Sequence, residues 1–219
     1  MQRVKRNWLR LTVHLSALAR LGILAYAYQA HHLTFNPIQA AEQQTGTAAL
    51  VLLVLSLVCS PLNTVLGWKQ AIQARRPLGL WAFGFAALHV SIFTLVDYGL
   101  DLSLLLQAVT EKPYIIVGLT AFVLLVPLAF TSTRGWMRRL GKRWVQLHRL
   151  IYLIAPLVVV HYFWSVKADI RPPLLYGAGL AVLFLLRLPP IKRAIRRLRY
   201  RHSGPRRSTA KQQLPSSPE

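Results

Sequence analysis

The sequence predicts an all-α fold: a polytopic membrane protein, a six-transmembrane-helix bundle with both termini cytoplasmic. Three observations predict it. The 219-residue chain is 54% hydrophobic with a mean hydropathy of +0.38. Its apolar residues gather in charge-poor runs rather than in amphipathic stripes, and six of these runs are each near the ~20 residues that cross ~30 Å of hydrocarbon. Lys and Arg are abundant in every second segment between the runs and scarce in the others, the pattern of the positive-inside rule.

The elements follow in order. A basic segment, 1–8, precedes the first run at about 9–29, which ends in AYAYQA and in this respect resembles a signal peptide. His14 and Arg20 interrupt its apolar core, and retaining it gives an even number of spans in keeping with the charge bias, so it is read as a helix. The second run, 47–66, leads into the basic loop GWKQAIQARRP, and the third, 78–96, carries His89. The fourth, 113–131, leads into the basic loop TSTRGWMRRLGKRW, and the fifth, 146–165, carries His148 and His161. The sixth, 173–188, is the shortest and completes a transmembrane domain over 9–190. A basic tail, 191–219, is expected to be partly disordered from His202 onward, where it turns Pro/Ser-rich, and its arginines are expected to attract anionic lipid headgroups.

Counted by side, Lys and Arg number four in 1–10, three in the second loop, five in the fourth and ten from Arg187 onward, against Lys112, Lys167 and Arg171 on the other side. A net charge of +21 in a soluble protein would suggest nucleic acid, but here the cations are dispersed over four separated segments and mark topology instead. Cys59 is the single cysteine, which excludes an internal disulfide, a self-held iron–sulfur cluster and a Cys-x-x-Cys-His haem attachment. There is no internal sequence repeat, no Gly-rich phosphate loop, no Ser/His/Asp arrangement and no dinucleotide-binding domain, so any electron has to enter from a separate donor.

Three histidines within membrane-length runs are candidate axial ligands of haem iron, because hydrocarbon tolerates imidazole only when its nitrogens are satisfied. At 1.5 Å per residue His89 lies ~18 Å from the cytoplasmic edge of its run, His148 ~6 Å and His161 ~25 Å from the edge set by Trp144. His89 and His161 are therefore expected to bracket one iron nearer the periplasmic face. Thirteen helical steps leave His148 and His161 about 140° apart in azimuth, and Pro156 between them is a candidate bend. His148 is open to a second haem, to a propionate or quinone contact, or to plain packing. Trp81, Phe85, His89 and Phe93 share a helix face that suits either a haem pocket or ordinary helix packing. His14 is a candidate neighbour of a site, and solvation accounts for His31 and His32. Arg20, near mid-span, is either a neutraliser of a propionate or quinone headgroup or an interhelical polar contact.

RRPLGLWAFGFAALHVSIF around His89, TSTRGWMRRLGKRWVQLHRLIYL around His148, VVVHYFWSVK around His161 and FNPIQAAEQQTGTAALVLLVLSLVCSPL resemble the MsrQ family over residues 8–190. That family supplies haem-binding membrane subunits to periplasmic methionine sulfoxide reductase systems, and it belongs to the ferric reductase-like transmembrane group. The resemblance implies a bundle in the bacterial inner membrane with haem b, one or two, and FMN. It also implies electrons arriving from a quinone or a cytosolic flavin reductase and leaving for a molybdopterin partner, MsrP, on which the sulfoxide is reduced. No catalytic residue is then expected on this chain, and the periplasmic loops at 99–112 and 165–172 are the expected partner surface.

Bis-haem members of the wider group place two histidines on the third helix, whereas here Arg76, beside Arg75, stands thirteen residues before His89. Arginine is a poor iron ligand but suits a propionate or an FMN phosphate. Arg75 and Arg76, with Arg134, Arg138 and Arg139, are expected to line the cytoplasmic edge as a cofactor or donor site, or as positive-inside residues alone. Competing readings are a ferric or other metal reductase, a proton-coupled transporter with a path through Arg20 and the three histidines, which no inverted repeat supports, and a non-redox anchoring subunit.

Overall fold

The computed structural model describes residues 2–30, 33–166 and 169–202, and among them no strand occurs. Ten helices follow in order: α1 (Gln2–Gln29), α2 (Pro37–Leu66), α3 (Ala71–Ser91, continued by a π-helical stretch Ile92–Asp97), α4 (Leu102–Glu111), α5 (Pro113–Phe130), α6 (Arg134–Leu140), α7 (Lys142–His148), α8 (Ile151–Ser165), α9 (Arg171–Leu185) and α10 (Pro189–His202). Five stretches are long and apolar enough to cross a membrane: Trp8–Gln29, Pro37–Leu66, Ala71–Asp97, Pro113–Phe130 and Lys142–Ser165. A sixth exists if α9 and α10, bent by 73° at their junction, are taken as one.

Local chemistry sets the ends. The Asn36 side chain accepts from the Gln39 backbone N–H at 3.1 Å, and Pro37 occupies the first turn of α2. Gly67, in the left-handed region at φ 72°, closes the helix. Its start lies ten residues before the apolar run at 47–66, because a cap and not hydropathy decides where a helix begins. In the 99–112 loop, α4 is too short to span; the Asp101 carboxylate caps it by accepting from the Ser103 and Leu104 amides at 2.9 and 3.2 Å. The second basic loop folds into α6 and α7, divided at Gly141 (φ 50°).

The helices pair as antiparallel neighbours, α2 with α3 and α5 with α8, with α1 against α3 and α9 against α8. Leucine and alanine side chains make most of the close contacts between the helices. Leu53, Leu57, Ala82, Ala155, Leu180 and Leu183 join α2, α3, α8 and α9. Ala121, Leu125, Leu128 and Ile154 close the α5–α8 side, where Phe83 stacks on Phe122 at 5.8 Å. Chain direction alternates, so every acidic residue among the described ones (Glu42, Asp97, Asp101, Glu111 and Asp169) falls at one end of the bundle, and Arg75, Arg134, Arg138, Arg139, Lys142 and Lys192 fall at the other.

The break before His161 is not at Pro156, which lies inside α8; it falls at Arg149–Leu150, where the backbone turns through i→i−3 bonds. His148 thereby ends α7, and this break separates its direction from that of His161. The expected tail begins as the helix α10, whereas residues 203–219 lie outside the described ones.

Candidate functional site

His89 on α3 and His161 on α8 stand with ring centroids 6.3 Å apart and planes at 76°, both half-buried. His89 Nδ1 donates to the Glu42 carbonyl oxygen at 3.0 Å, and His161 Nδ1 donates to the Tyr114 carbonyl oxygen at 2.7 Å. A carbonyl can only accept, so the bond pattern puts the proton on Nδ1 of both rings and leaves both Nε2 lone pairs without a partner among the described residues. A metal ~2 Å from an imidazole nitrogen lies ~3 Å from the ring centroid, so two imidazoles on opposite sides of one ion have centroids ~6 Å apart. The observed separation fits a single metal between them. Among the described residues no group of three or more His, Cys, Asp or Glu could hold a metal. A six-coordinate ion here needs a ligand that brings its own four donors, as a porphyrin does.

The two rings are seated alike. Both hydrogen bonds close over 47 residues. A glycine stands four residues after each carbonyl, Gly46 against the His89 ring and Gly118 against the His161 ring. A Cβ at Gly46 would meet His89 Cε1 and Nδ1 at 3.3 Å; one at Gly118 would meet His161 Nδ1 at 2.5 Å and Cε1 at 2.6 Å. A single shift along the chain carries Glu42, Gly46 and His89 onto Tyr114, Gly118 and His161, so α2–α3 and α5–α8 repeat one cradle although their sequences do not repeat. Sequence reasoning missed all four supporting residues. Backbone carbonyls leave no signature in residue type, and only the glycines, placed at matching distances before the histidines, could have pointed to them. Thr45, fully buried, donates to the Ala41 and Glu42 carbonyls at 2.7 and 3.0 Å. The Glu42 Oε1 atom is buried with no hydrogen-bond partner among the described residues.

The other expected residues lie apart. His148 Nε2 is 3.2 Å from Thr131 Oγ1, and Trp144 stacks on its ring at 4.0 Å. The Thr131 hydroxyl gives its proton to the Pro127 carbonyl at 2.6 Å, so His148 Nε2 is the donor and its lone pair is on Nδ1. Arg75 lies within electrostatic range of this ring, and its Nη1 donates to Ser60 Oγ at 3.3 Å. Arg76 and Arg20 are exposed, and no hydrogen bond links either to the histidine pair. His14 accepts from Trp81 Nε1 at 2.9 Å. Trp81 packs on the buried Phe85, and Phe93 packs on Tyr98, so ordinary helix packing accounts for the aromatic face. His31 and His32 lie outside the described residues, as does the side chain of His202.

Residues 45–159 match the family described as the ferric reductase like transmembrane component, a stretch that contains His89 and His148 and ends two residues before His161. The chain is 40% identical over 199 residues to a protein-methionine-sulfoxide reductase heme-binding subunit MsrQ of Xanthomonas campestris pv. campestris (strain 8004), covering 88% of this chain and 91% of that one. It is 42% identical over 177 residues to the protein of the same name from Herminiimonas arsenicoxydans, covering 80% and 81%. A third, from Xanthomonas axonopodis pv. citri (strain 306), is 41% identical over 177 residues, covering 78% and 81%.

Proposed function

The chain belongs to the MsrQ family of multi-pass, ferric reductase-like transmembrane proteins, and on that premise we propose that it is a haem b electron-transfer subunit of the bacterial inner membrane. In this reading it passes electrons from the quinone pool or a cytosolic flavin reductase to a periplasmic molybdopterin methionine sulfoxide reductase, MsrP. The observation that carries the reading is the His89–His161 pair, with ring centroids 6.3 Å apart, both Nδ1 protons tied to carbonyls and neither Nε2 hydrogen-bonded among the described residues.

His89 and His161 would hold a haem iron through Nε2, and haem b, when bound, would supply a one-electron carrier. The Glu42 and Tyr114 carbonyls fix each ring's tautomer and rotation and raise its basicity, the role outer-shell partners take at metal sites. Gly46 and Gly118 let α2 and α5 approach near enough for those carbonyls to reach. His148 serves electron entry at the basic end. Its Nε2–H is committed to Thr131, so its free Nδ1 suits a quinone hydroxyl, and iron ligation through Nε2 would first have to break that bond. FMN and the service of Arg75, Arg76 and Arg20 to cofactor phosphates, propionates or a quinone headgroup are supported by family resemblance and by the chemistry of guanidinium, whereas Arg76, standing where bis-haem members carry a second histidine, argues against a second haem. The charge bias supports cytoplasmic termini.

A reduced-minus-oxidised absorbance spectrum with pyridine haemochrome quantitation on the detergent-purified chain tests the reading. Wild type is expected to show a b-type spectrum; His89→Ala and His161→Ala are each expected to lose most haem while still inserting in the membrane, and His148→Ala to keep the bis-histidine spectrum. A normal spectrum in both of the first two variants would falsify the ligand assignment. The ferric reductase description of the matched family favours one second reading, in which the same relay delivers electrons to an external metal complex. Oxidation of the reduced chain by MsrP plus methionine sulfoxide, compared with oxidation by a ferric chelate, separates the two.

A further inference from the structure

The two cradles that seat His89 and His161 match in backbone and differ in one side chain close to the rings. The shift that carries Glu42 onto Tyr114 and Gly46 onto Gly118 carries Thr45 onto Val117, so one cradle has a hydroxyl where the other has a methyl group. Thr45 is fully buried in α2. Its Oγ1 donates back along the helix to the Ala41 carbonyl at 2.7 Å and to the Glu42 carbonyl at 3.0 Å, as a helical threonine does toward its i−4 and i−3 neighbours. The Glu42 oxygen therefore receives the Thr45 hydroxyl as well as the His89 N–H, whereas among the described residues the Tyr114 oxygen receives a side-chain donor from His161 alone.

A carbonyl oxygen has two lone pairs but a single partial charge to share between them. A second donor draws on that charge and leaves less for the imidazole. The distances agree: His89 Nδ1 lies 3.0 Å from its shared carbonyl, an ordinary length, and His161 Nδ1 lies 2.7 Å from its unshared one, the short end of the range. An N–H held by a stronger acceptor leaves more electron density on its ring, and the opposite nitrogen becomes the better donor to a metal. His161 is then the stronger ligand of the pair and His89 the weaker. Plain packing does not call for the hydroxyl, since valine has the same shape and threonine back-bonding slightly destabilises a helix.

Resting on the haem reading of this pair, we propose that Thr45 is a positioning residue that sets the reduction potential of a haem iron held between His89 and His161. Its hydroxyl occupies part of the Glu42 carbonyl, loosens the His89 hydrogen bond and so keeps the potential higher than two equal cradles would. The physical reason is charge: a strong imidazole donor favours the oxidised, more highly charged iron, and a weakened one favours the reduced state.

Redox titration of the detergent-purified full chain, followed by haem absorbance, tests this on wild type, Thr45→Val, Thr45→Ser and Val117→Thr, with haem per chain measured on each. Thr45→Val keeps the shape and drops the hydroxyl. It is expected to lower the midpoint potential, moving the reduction equilibrium about threefold toward the oxidised state, the scale of a partial hydrogen bond. Thr45→Ser keeps the hydroxyl and is expected to stay at the wild-type potential. Val117→Thr brings a hydroxyl to the other cradle, on a helix where Thr120 already donates to the Ile116 carbonyl, and is expected to raise the potential. A merely structural Thr45 would alter haem content or Tm and leave the potential where it was. An unchanged potential in haem-replete Thr45→Val, equal shifts in Thr45→Val and Thr45→Ser, or no rise in Val117→Thr would overturn the proposal. Should Thr45→Val fail to fold, Val117→Thr decides alone. A second readout needs no haem: with isotope-labelled histidine in the haem-free full chain, the His89 Nδ1 proton resonance is expected to move downfield in Thr45→Val as its hydrogen bond tightens. A chain that takes up no haem would end the relay reading, and this resonance would still decide whether Thr45 competes for the Glu42 carbonyl.

Discussion

Gly118 has no side chain, yet it leaves less room for substitution than any other glycine of the cradles, since a Cβ there would overlap the His161 ring at 2.5 Å while one at Gly46 meets His89 at 3.3 Å. Gly118→Ala is expected to cost about 1–3 kcal/mol, as overpacking does, and to lower haem per chain sharply by turning His161 off its carbonyl. Gly46→Ala, where a few tenths of an ångström of relaxation suffice, is expected to keep most haem. Haem-to-protein ratio and Tm on both variants check the order, and a haem loss confined to Gly46→Ala would contradict it. The histidines were legible in the sequence because an imidazole in an apolar run demands explanation. Their partners were not, because Glu42 and Tyr114 act through backbone oxygens that any residue possesses.

Helix ends show how far hydropathy alone misplaces an element. The apolar run placed α2 at 47–66, whereas the Asn36 cap starts it at Pro37 and so brings Glu42 and Gly46 onto a helix facing His89. Pro156 suggested a bend that the chain makes instead at Arg149–Leu150. α4 owes its first turn to Asp101, whose carboxyl is held below the ordinary range by hydrogen bonds from the Ser103 side chain and the Leu104 and Ser103 amides. A lowered carboxyl pKa means that the cap's contribution is complete at neutral pH and disappears only as pH falls through that lowered value. Hydrogen exchange at the Ser103 and Leu104 amides should therefore stay slow into mildly acidic buffer, and Asp101→Ala should speed it at neutral pH without changing haem content. Equal exchange in both proteins would mean that packing, not the cap, holds α4.

For the whole molecule, the separation of charge predicts how the bundle sits in the membrane. Because Cys59 is the single cysteine and is buried, a Cys59→Ser background accepts reporter cysteines one at a time. Asp169→Cys should react with an impermeant maleimide on intact spheroplasts, and Arg134→Cys only after permeabilisation; the reverse pattern would invert the orientation. The six spans were readable because each is a run of nearly uniform polarity, and the structure returns five of them, with the sixth bent by 73° into α10. That bend was hidden because the charged start of α10 reads as a tail, although as a helix it brings Lys192 back to the end of α2.

By itself the sequence determined the class of this protein, the bias of its charge and the three imidazoles that invite a metal, since all of these follow from composition and linear order. Only the tertiary structure decided which histidines face each other, because centroids 6.3 Å apart on two helices depend on helix depth, rotation and close approach together. It alone also decided that Nδ1 is the nitrogen tied on each ring and that Arg75, Arg187 and Lys192 share one cavity. Hydrogen bonds to backbone and cations gathered from three separate elements have no pattern in linear order and exist only once the helices have packed.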